Sequence, residues 1–500
     1  MNYRSIFFIL GCILTIEGVF LILPMITALI YGEEQVFAFL ISIFICLAVG
    51  CVLILLKPEK LVFNVKEGFA TVALGWILLS LFGCFPFFLS GDIPDFTYAF
   101  FETVSGFSTT GASILSDVEA VSRGCLFWRS FTHWIGGMGV LVFLLAVIPL
   151  VAKGQSQGGH MHLMRAESPG PVVGKLVPKV RSTAVILYII YLVLTLLEFI
   201  LLIICRMPVY EALLTAMGNA GTGGLGIKND SMASYSPAIQ WITTLFMFTF
   251  GINFSVFFLI LMGKFRDIFK IGEVRCYFIM FFAAVTIITI NSYDKLLSFE
   301  ENLRQVCFQV ASMISTTGFS TVDFDKWPSA SKGILILLMF SGACAGSTSG
   351  GIKVSRFIIM FKSAKNQLIS FLHPGTVRKI KVDNKTVDDN VLRSVNVFFI
   401  VYAITLAASV FVISFDNYDF ETNFTAVLAS LSNIGPGLSK VGPSQNYAFL
   451  SPLSKYVLMF DMIAGRLELY PILLLFYYKM WRERIIPKRA DSSNNLSASI

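Results

Sequence analysis

Charge is scarce in this 500-residue chain: Asp, Glu, Lys and Arg make up only 14% of it, against 56% from the AVILMFWYC set. Histidine is scarcer still, with four in all. So little charge excludes an ordinary soluble protein, and so few histidines leave almost nothing from which to build a buried acid–base centre. The nine cysteines include no C-x-x-C pair and lie mostly within apolar runs, which argues for small buried hydrophobes, not disulfides or metal ligands. Strands of alternating apolar and polar residues are missing too, which excludes a transmembrane β-barrel.

What is present is long apolar sequence, with 48 Phe and a mean hydropathy of +0.76. A spanning helix takes roughly 20 mostly apolar residues. Candidate spans run from Ile6 to Ile30, Val36 to Leu56, Phe69 to Leu89, Cys125 to Val151, Ala184 to Cys205, Ile239 to Met262, Val274 to Ile290, Gly333 to Met360, Val397 to Phe415 and Leu453 to Met480. The expected fold is therefore an all-α polytopic membrane protein without a soluble catalytic domain, and not an enzyme. The first run has no small-residue cleavage site and is expected to stay as a span.

Lysine and arginine cluster in alternating connections: Lys57, Lys60 and Lys66; Lys153 to Arg181; Lys264 to Arg275; Lys353 to Arg393; and Lys479 to Arg489. Such a bias marks the cytoplasmic side and puts both termini there. The opposite connections carry acids, among them Glu33, Glu34, Asp92, Asp95, Asp117, Glu119, Asp323, Asp325, Asp416, Asp419 and Glu421. These either concentrate cations or reflect the ordinary drift of external loops. The net charge of +7 is thus a topology signal and implies no nucleic-acid partner.

Four of the outer connections repeat one pattern, a short apolar stretch ending in a Gly-rich turn. They are AFFETVSGFSTTGAS after Tyr98, EALLTAMGNAGTGGLG after Tyr210, CFQVASMISTTGFS after Val306, and FTAVLASLSNIGPG after Asn423, where the last begins at Phe424. Aligned on Gly111, Gly223, Gly318 and Gly435, the next apolar span starts at a near-constant distance, at Phe127, Ile239, Ile334 and Pro452. The repeating unit is span, re-entrant loop, span. It divides the chain into a two-helix extension (1–66) and four units, 67–153, 182–264, 272–366 and 390–484. Non-helical backbone at membrane depth is tolerated only where it lines a watery path or is buried in protein. Short helices over Phe96 to Ser105, Val209 to Met217, Glu301 to Met313 and Glu421 to Leu431 would run inward, aiming about half a negative charge each at a shared cavity. Glycines at the tips let carbonyls turn toward an axis, where they can replace an ion's hydration shell. The alternative is that these glycines serve only tight turns or helix crossings.

Two further elements interrupt apolar spans. The eighth contains GACAGSTSGG after Ser341, with Gly342, Gly346, Gly350 and Gly351 inside ten residues; each Gly costs about 1 kcal/mol in a helix, so the helix breaks there. It reads as a flexible plug or as close packing through small residues. Arg466 lies inside the last span, where an arginine costs about 2.5–3.5 kcal/mol to insert and is a functional candidate. It reads as a barrier to cations or as the partner of Asp461 or Glu468. Glu17 and Glu198 also fall in apolar spans, and Gly221 to Gly226 fits G-x-G-x-x-G without the strand a nucleotide site needs.

Taken together, GFSTTGAS after Ser105, WIGGMGVLVFLLAVIP after His133, STTGFSTVDF after Ile314, ACAGSTSGGIK after Gly342, IGPG after Asn433 and GRLE after Ala464 resemble the Trk/Ktr/HKT superfamily of potassium transporters, most closely its bacterial TrkH/TrkG membrane-subunit branch. The resemblance covers nearly the whole chain. It implies a pseudo-fourfold central pore, with a selectivity filter that binds potassium at Thr110, Gly111, Thr222, Gly223, Thr317, Gly318, Ile434 and Gly435. The second loop departs from the pattern, and Gly224 rivals Gly223 there. It also implies a gating loop at Gly342, Gly346, Ser347, Thr348, Ser349, Gly350 and Gly351, and a pore barrier at Arg466. No cofactor is expected, with potassium as substrate. The implied partners are the lipid bilayer, a second copy in a homodimer, and a TrkA-like cytoplasmic nucleotide-binding regulatory subunit. The implied location is the bacterial inner membrane. The competing expectation is an alternating-access carrier moving potassium with protons or sodium.

Overall fold

The computed structural model describes residues 1–58, 65–139, 180–292, 298–373, 379–383 and 385–481. Residues 140–151 of the fourth expected span, the loop with His160 and His162, and the basic tail from Arg482 lie outside the described residues. Helix dominates what is described; the one sheet there is a small antiparallel hairpin pairing Lys381–Val382 with Lys385–Thr386.

Among the described residues, six helical spans are long and apolar enough to cross a membrane: Tyr3–Tyr31, Val36–Leu55, Lys66–Ser90, Ala184–Ile204, Gly272–Asn291 and Asp389–Asp416, the first interrupted only by a turn at Leu21 and the third by one at Cys84. They are the two N-terminal spans and the leading helix of each unit. Their outward faces carry side chains such as Phe37, Phe44 and Leu55, all largely exposed, as a surface solvated by lipid tails requires.

The other four expected spans are the trailing helices, and here the continuous reading needs correcting. Arg123–Met138 stops at Gly139, whose φ is +78°. Pro237–Phe250 bends by 95° into Phe254–Leu261. Ser329–Phe340 gives way to the Gly-rich segment before Val354–Leu372, as the glycine count leads one to expect. Pro452–Arg466 ends before Tyr470–Leu475. The sixth and tenth spans are broken by means the hydropathy does not register. Asn253 folds its side chain back onto the Ser255 amide at 2.8 Å and starts a new helix. Glu468 and Leu469 adopt φ of +53° and +70°, and Pro471 in the first turn beyond them supplies no amide to continue the ladder.

The extension is docked on the first unit. Both carboxylate oxygens of Glu33 accept from the first amides of the trailing helix, Arg123 at 2.7 Å and Gly124 at 3.0 Å, placing an anion at a helix N-terminus. Gly11 and Gly50 meet where the first two spans cross, with no room for a Cβ on either, a small-residue crossing.

Candidate functional site

The four short helices are Phe96–Phe107, Val209–Ala220, Phe299–Ile314 and Phe420–Leu431. Three begin with a side-chain cap: Asp95 accepts from Tyr98 N at 3.0 Å, Ser298 from Glu301 N at 3.1 Å and Asp419 from Thr422 N at 2.9 Å. The second begins after Pro208, a fixed-φ start.

All four end alike. Thr109, Thr222, Thr316 and Asn433 take left-handed φ between +53° and +57°. The next amide in each, at Thr110, Gly223, Thr317 and Ile434, reaches back to Ser105 O, Gly218 O, Ser312 O and Ala429 O, each at 2.9 Å. This is the Schellman arrangement, which satisfies two carbonyls of the last turn and throws the following residue out of the helix. The residue after that is a glycine with positive φ: Gly111 (+80°), Gly224 (+71°), Gly318 (+89°) and Gly435 (+95°).

This pattern shifts the expected register of the second loop. Gly224, not Gly223, matches Gly111, and Gly223 matches Thr110, while Thr222 takes the helix-ending position of Thr109. The run Gly221-Thr-Gly-Gly offers several glycines, and identity alone does not say which of them carries positive φ.

The turns meet in a closed ring. A Cβ built on Gly111 would strike the carbonyl oxygen of Gly223, one on Gly224 that of Thr317, and one on Gly318 that of Ile434. One on Gly435 would lie 2.7 Å from that of Thr110. In each case the atom struck is the carbonyl just before the next unit's turn glycine, so the four loops are packed in the order one, two, three, four, one. A cavity of about 220 Å³ sits on this ring, lined by all four glycines. At its rim Asn229 donates to Asp117 at 2.9 Å, and that bond holds the Asp117 carboxyl below its ordinary range.

The interrupted eighth span lies against the ring. Gly350 N donates to Thr316 Oγ1 at 2.7 Å, and a Cβ on Gly350 would lie 2.6 Å from Ser432 O. Thr348 O accepts from Arg466 Nη1 at 2.6 Å. The other arm of that guanidinium reaches Gly136 O, and Gly137 O at 2.6 Å, where the first unit's trailing helix ends. Arg466 thus joins the interrupted segment to the break in another unit, its charge solvated by main-chain oxygens. The two acids weighed as its partners have others: Asp461 accepts from Ser409 at 2.8 Å, and Glu468 pairs with Arg356.

Sequence reading passed over three residues here. Glu273 Oε1 accepts from Ala345 N at 2.8 Å and from Ser355 N at 3.0 Å, clamping both arms of the segment. Lys353 caps Ser349 O, and Gly350 O at 3.3 Å. Asn433 donates to Thr110 Oγ1 at 3.0 Å, tying the fourth turn to the first. An acid in the first turn of a span and a lysine directly after a Gly-rich break were the available signals. Glu198 accepts from Asn219 in the second short helix at 2.6 Å; Glu17 is buried against Gly83.

This is a nearly all-helical membrane protein in which four helix-turn loops meet in a ring, with one broken helix pressed against their junction. The chain belongs to the TrkH family: the model of that family, described as a cation transport protein, matches residues 35–486. It is 34% identical over 494 residues to the Trk system potassium uptake protein TrkH of Salmonella typhimurium, covering 97% of this chain and 100% of that one. It is 31% identical to TrkG of Escherichia coli K12, covering 96% and 99%. Its fold is similar to the crystal structure of the potassium transporter TrkH from Vibrio parahaemolyticus, with a TM-score of 0.85, 29% identity and coverage of 96% and 100%.

Proposed function

We propose that this protein takes up potassium through the centre of the four-loop ring. The observation that carries the reading is the cyclic packing of the four turns, each glycine set against the carbonyl before the next. The ion sheds water in the outer mouth and exchanges it for main-chain oxygens of Thr110 and Gly111, Gly223 and Gly224, Thr317 and Gly318, and Ile434 and Gly435. It then passes the segment Gly342 to Gly351, which blocks the inner side until it moves. Arg466 acts there as anchor of the closed segment and as a fixed charge opposing cation entry. No covalent chemistry is involved; the membrane potential contributes about 2.3 kcal/mol per charge per 100 mV.

The relatives' names support potassium as the cargo. The bacterial relatives support a cell-membrane location, the basic connections support cytoplasmic termini, and the absence of a sensing domain in the described residues supports control by a separate cytoplasmic nucleotide-binding subunit beneath a homodimer. The four units share one direction, from leading helix through inward loop to trailing helix, which favours a pore over a carrier with inverted halves. Purified protein in liposomes should carry rubidium, a potassium surrogate, and Gly318→Leu should abolish that flux. Absence of rubidium flux with and without a regulatory subunit, or flux indifferent to Gly318→Leu, would overturn the proposal.

A further inference from the structure

One buried ion pair stands directly behind the ring, and the mechanism above does not use it. Glu102, in the first short helix, and Arg129, in the first trailing helix, are 1% and 3% exposed, with Arg129 Nε 2.6 Å from Glu102 Oε1. The rest of the guanidinium is spent on both adjoining loops: Nη2 donates to Ser113 Oγ at 3.1 Å and Nη1 to Gly226 O at 2.6 Å. Ser113 follows Gly111 by two positions, and Gly226 follows Gly224 by two. Glu102 holds the near side, accepting from Ser113 Oγ at 3.0 Å and from Ile114 N at 3.1 Å.

Burying two charges is expensive, and an apolar pair of the same volume commonly serves stability as well or better. A planar fork offers something apolar packing does not, namely a fixed angle and distance between the groups it binds. Here the groups are the loop segments leaving two neighbouring turns. The other units do without it: Thr215, Gln309 and Ala426 occupy the position of Glu102 once the turns are superposed. Two other seams are closed by neutral main-chain bonds, Met232 N to Ser320 O at 2.9 Å and Tyr447 N to Ser113 O at 2.8 Å. The third–fourth seam carries only the part-exposed pair of Lys332 with Glu421 at 3.4 Å, so the buried charged brace belongs to the seam between the first and second units, where Gly223 and Gly224 replace the Thr-Gly of the first and third turns. A turn with two successive glycines has the most backbone freedom.

We propose that Glu102 and Arg129 are positioning residues that fix the spacing of the first two loops and so set the discrimination of potassium from sodium. The inference rests on the ring being the ion path. A loosened seam lets the oxygens close around the smaller ion, so the loss appears in the ratio of the two fluxes before it appears in total flux.

The test is paired rubidium and sodium flux through the full-length protein in liposomes, with thermal stability of each purified variant. Arg129→Lys keeps the charge and removes the fork; Glu102→Gln keeps the shape and weakens the acceptor. Each should lower the rubidium-to-sodium ratio roughly tenfold, the scale of one lost charge-assisted hydrogen bond. Ser113→Ala deletes one neutral hydroxyl and should lower it about threefold. If both charge variants fail to fold, Ser113→Ala decides: a lowered ratio supports the brace and an unchanged ratio overturns it. Unchanged ratios in all folded variants, with stability alone reduced, would make the pair merely structural. Wild-type protein that carries no rubidium would refute the potassium path itself, a different failure.

Discussion

Gly223 and Gly224 both refuse a side chain, but against different obstacles. A Cβ on Gly224 meets the main chain of Thr317 and would hold an L-residue at φ +71°, whereas one on Gly223 meets the imidazole of His133. Main chain in a closed ring cannot yield, while a side chain can be removed. Gly224→Ala should therefore cut rubidium flux at least about tenfold whether or not His133 is present, since a left-handed non-glycine alone costs about 1–2 kcal/mol. Gly223→Ala should lose flux alone and regain it in combination with His133→Ala. The opposite result would return the second loop to the Gly223 register. Arg466→Gln offers a second residue-scale test. With the guanidinium's contacts to Thr348, Gly136 and Gly137 lost, basal flux without a regulatory subunit should rise, and a fall would contradict the barrier proposed for it.

At the scale of elements, the short helices and their turns were legible in the sequence because the Gly-rich endings recur at a near-constant distance from the next span. The six long spans were legible because apolar length alone specifies them. The breaks in the trailing helices were legible only where glycine accumulates, at Gly342 to Gly351. At Gly251 to Asn253 and at Leu467 to Leu469 the flanking residues are as apolar as any span, and the interruption comes from one capping Asn and a left-handed Glu-Leu pair. Hydropathy averages over both. The polar clamps were hidden for a related reason: Glu273 sits at the entrance of an apolar helix, and its partners are main-chain amides far off in sequence. That clamp can be tested. Glu273→Gln retains the shape but weakens the acceptor for two amides, a loss of about 1–2 kcal/mol, so the segment should open more often and basal rubidium flux should rise several-fold. Unaltered flux at unaltered stability would mean the segment does not hinge between Ala345 and Ser355.

For the whole molecule, four units of one direction build a ring that is fourfold in its turns and asymmetric in its supports. The brace lies at one seam, the interrupted segment under the third and fourth turns, and the extension against the first unit. The common part suits a shared ion path; the particular parts suit fixing and closing it. Charge at the mouth belongs to this scale as well. Asp117 stays ionised below the usual carboxylate range, so Asp117→Asn should slow uptake at low ionic strength at neutral pH and leave it unchanged at high salt, where the Debye length falls to about 3 Å at 1 M. An effect of equal size at both would place Asp117 in local structure and not in the field of the mouth. The most direct measurement is anomalous diffraction from crystals grown in rubidium. The ring as ion path requires a rubidium peak on the axis between the carbonyls of Thr110, Gly223, Thr317 and Ile434. Protein that transports rubidium yet shows its bound ions only elsewhere would contradict it.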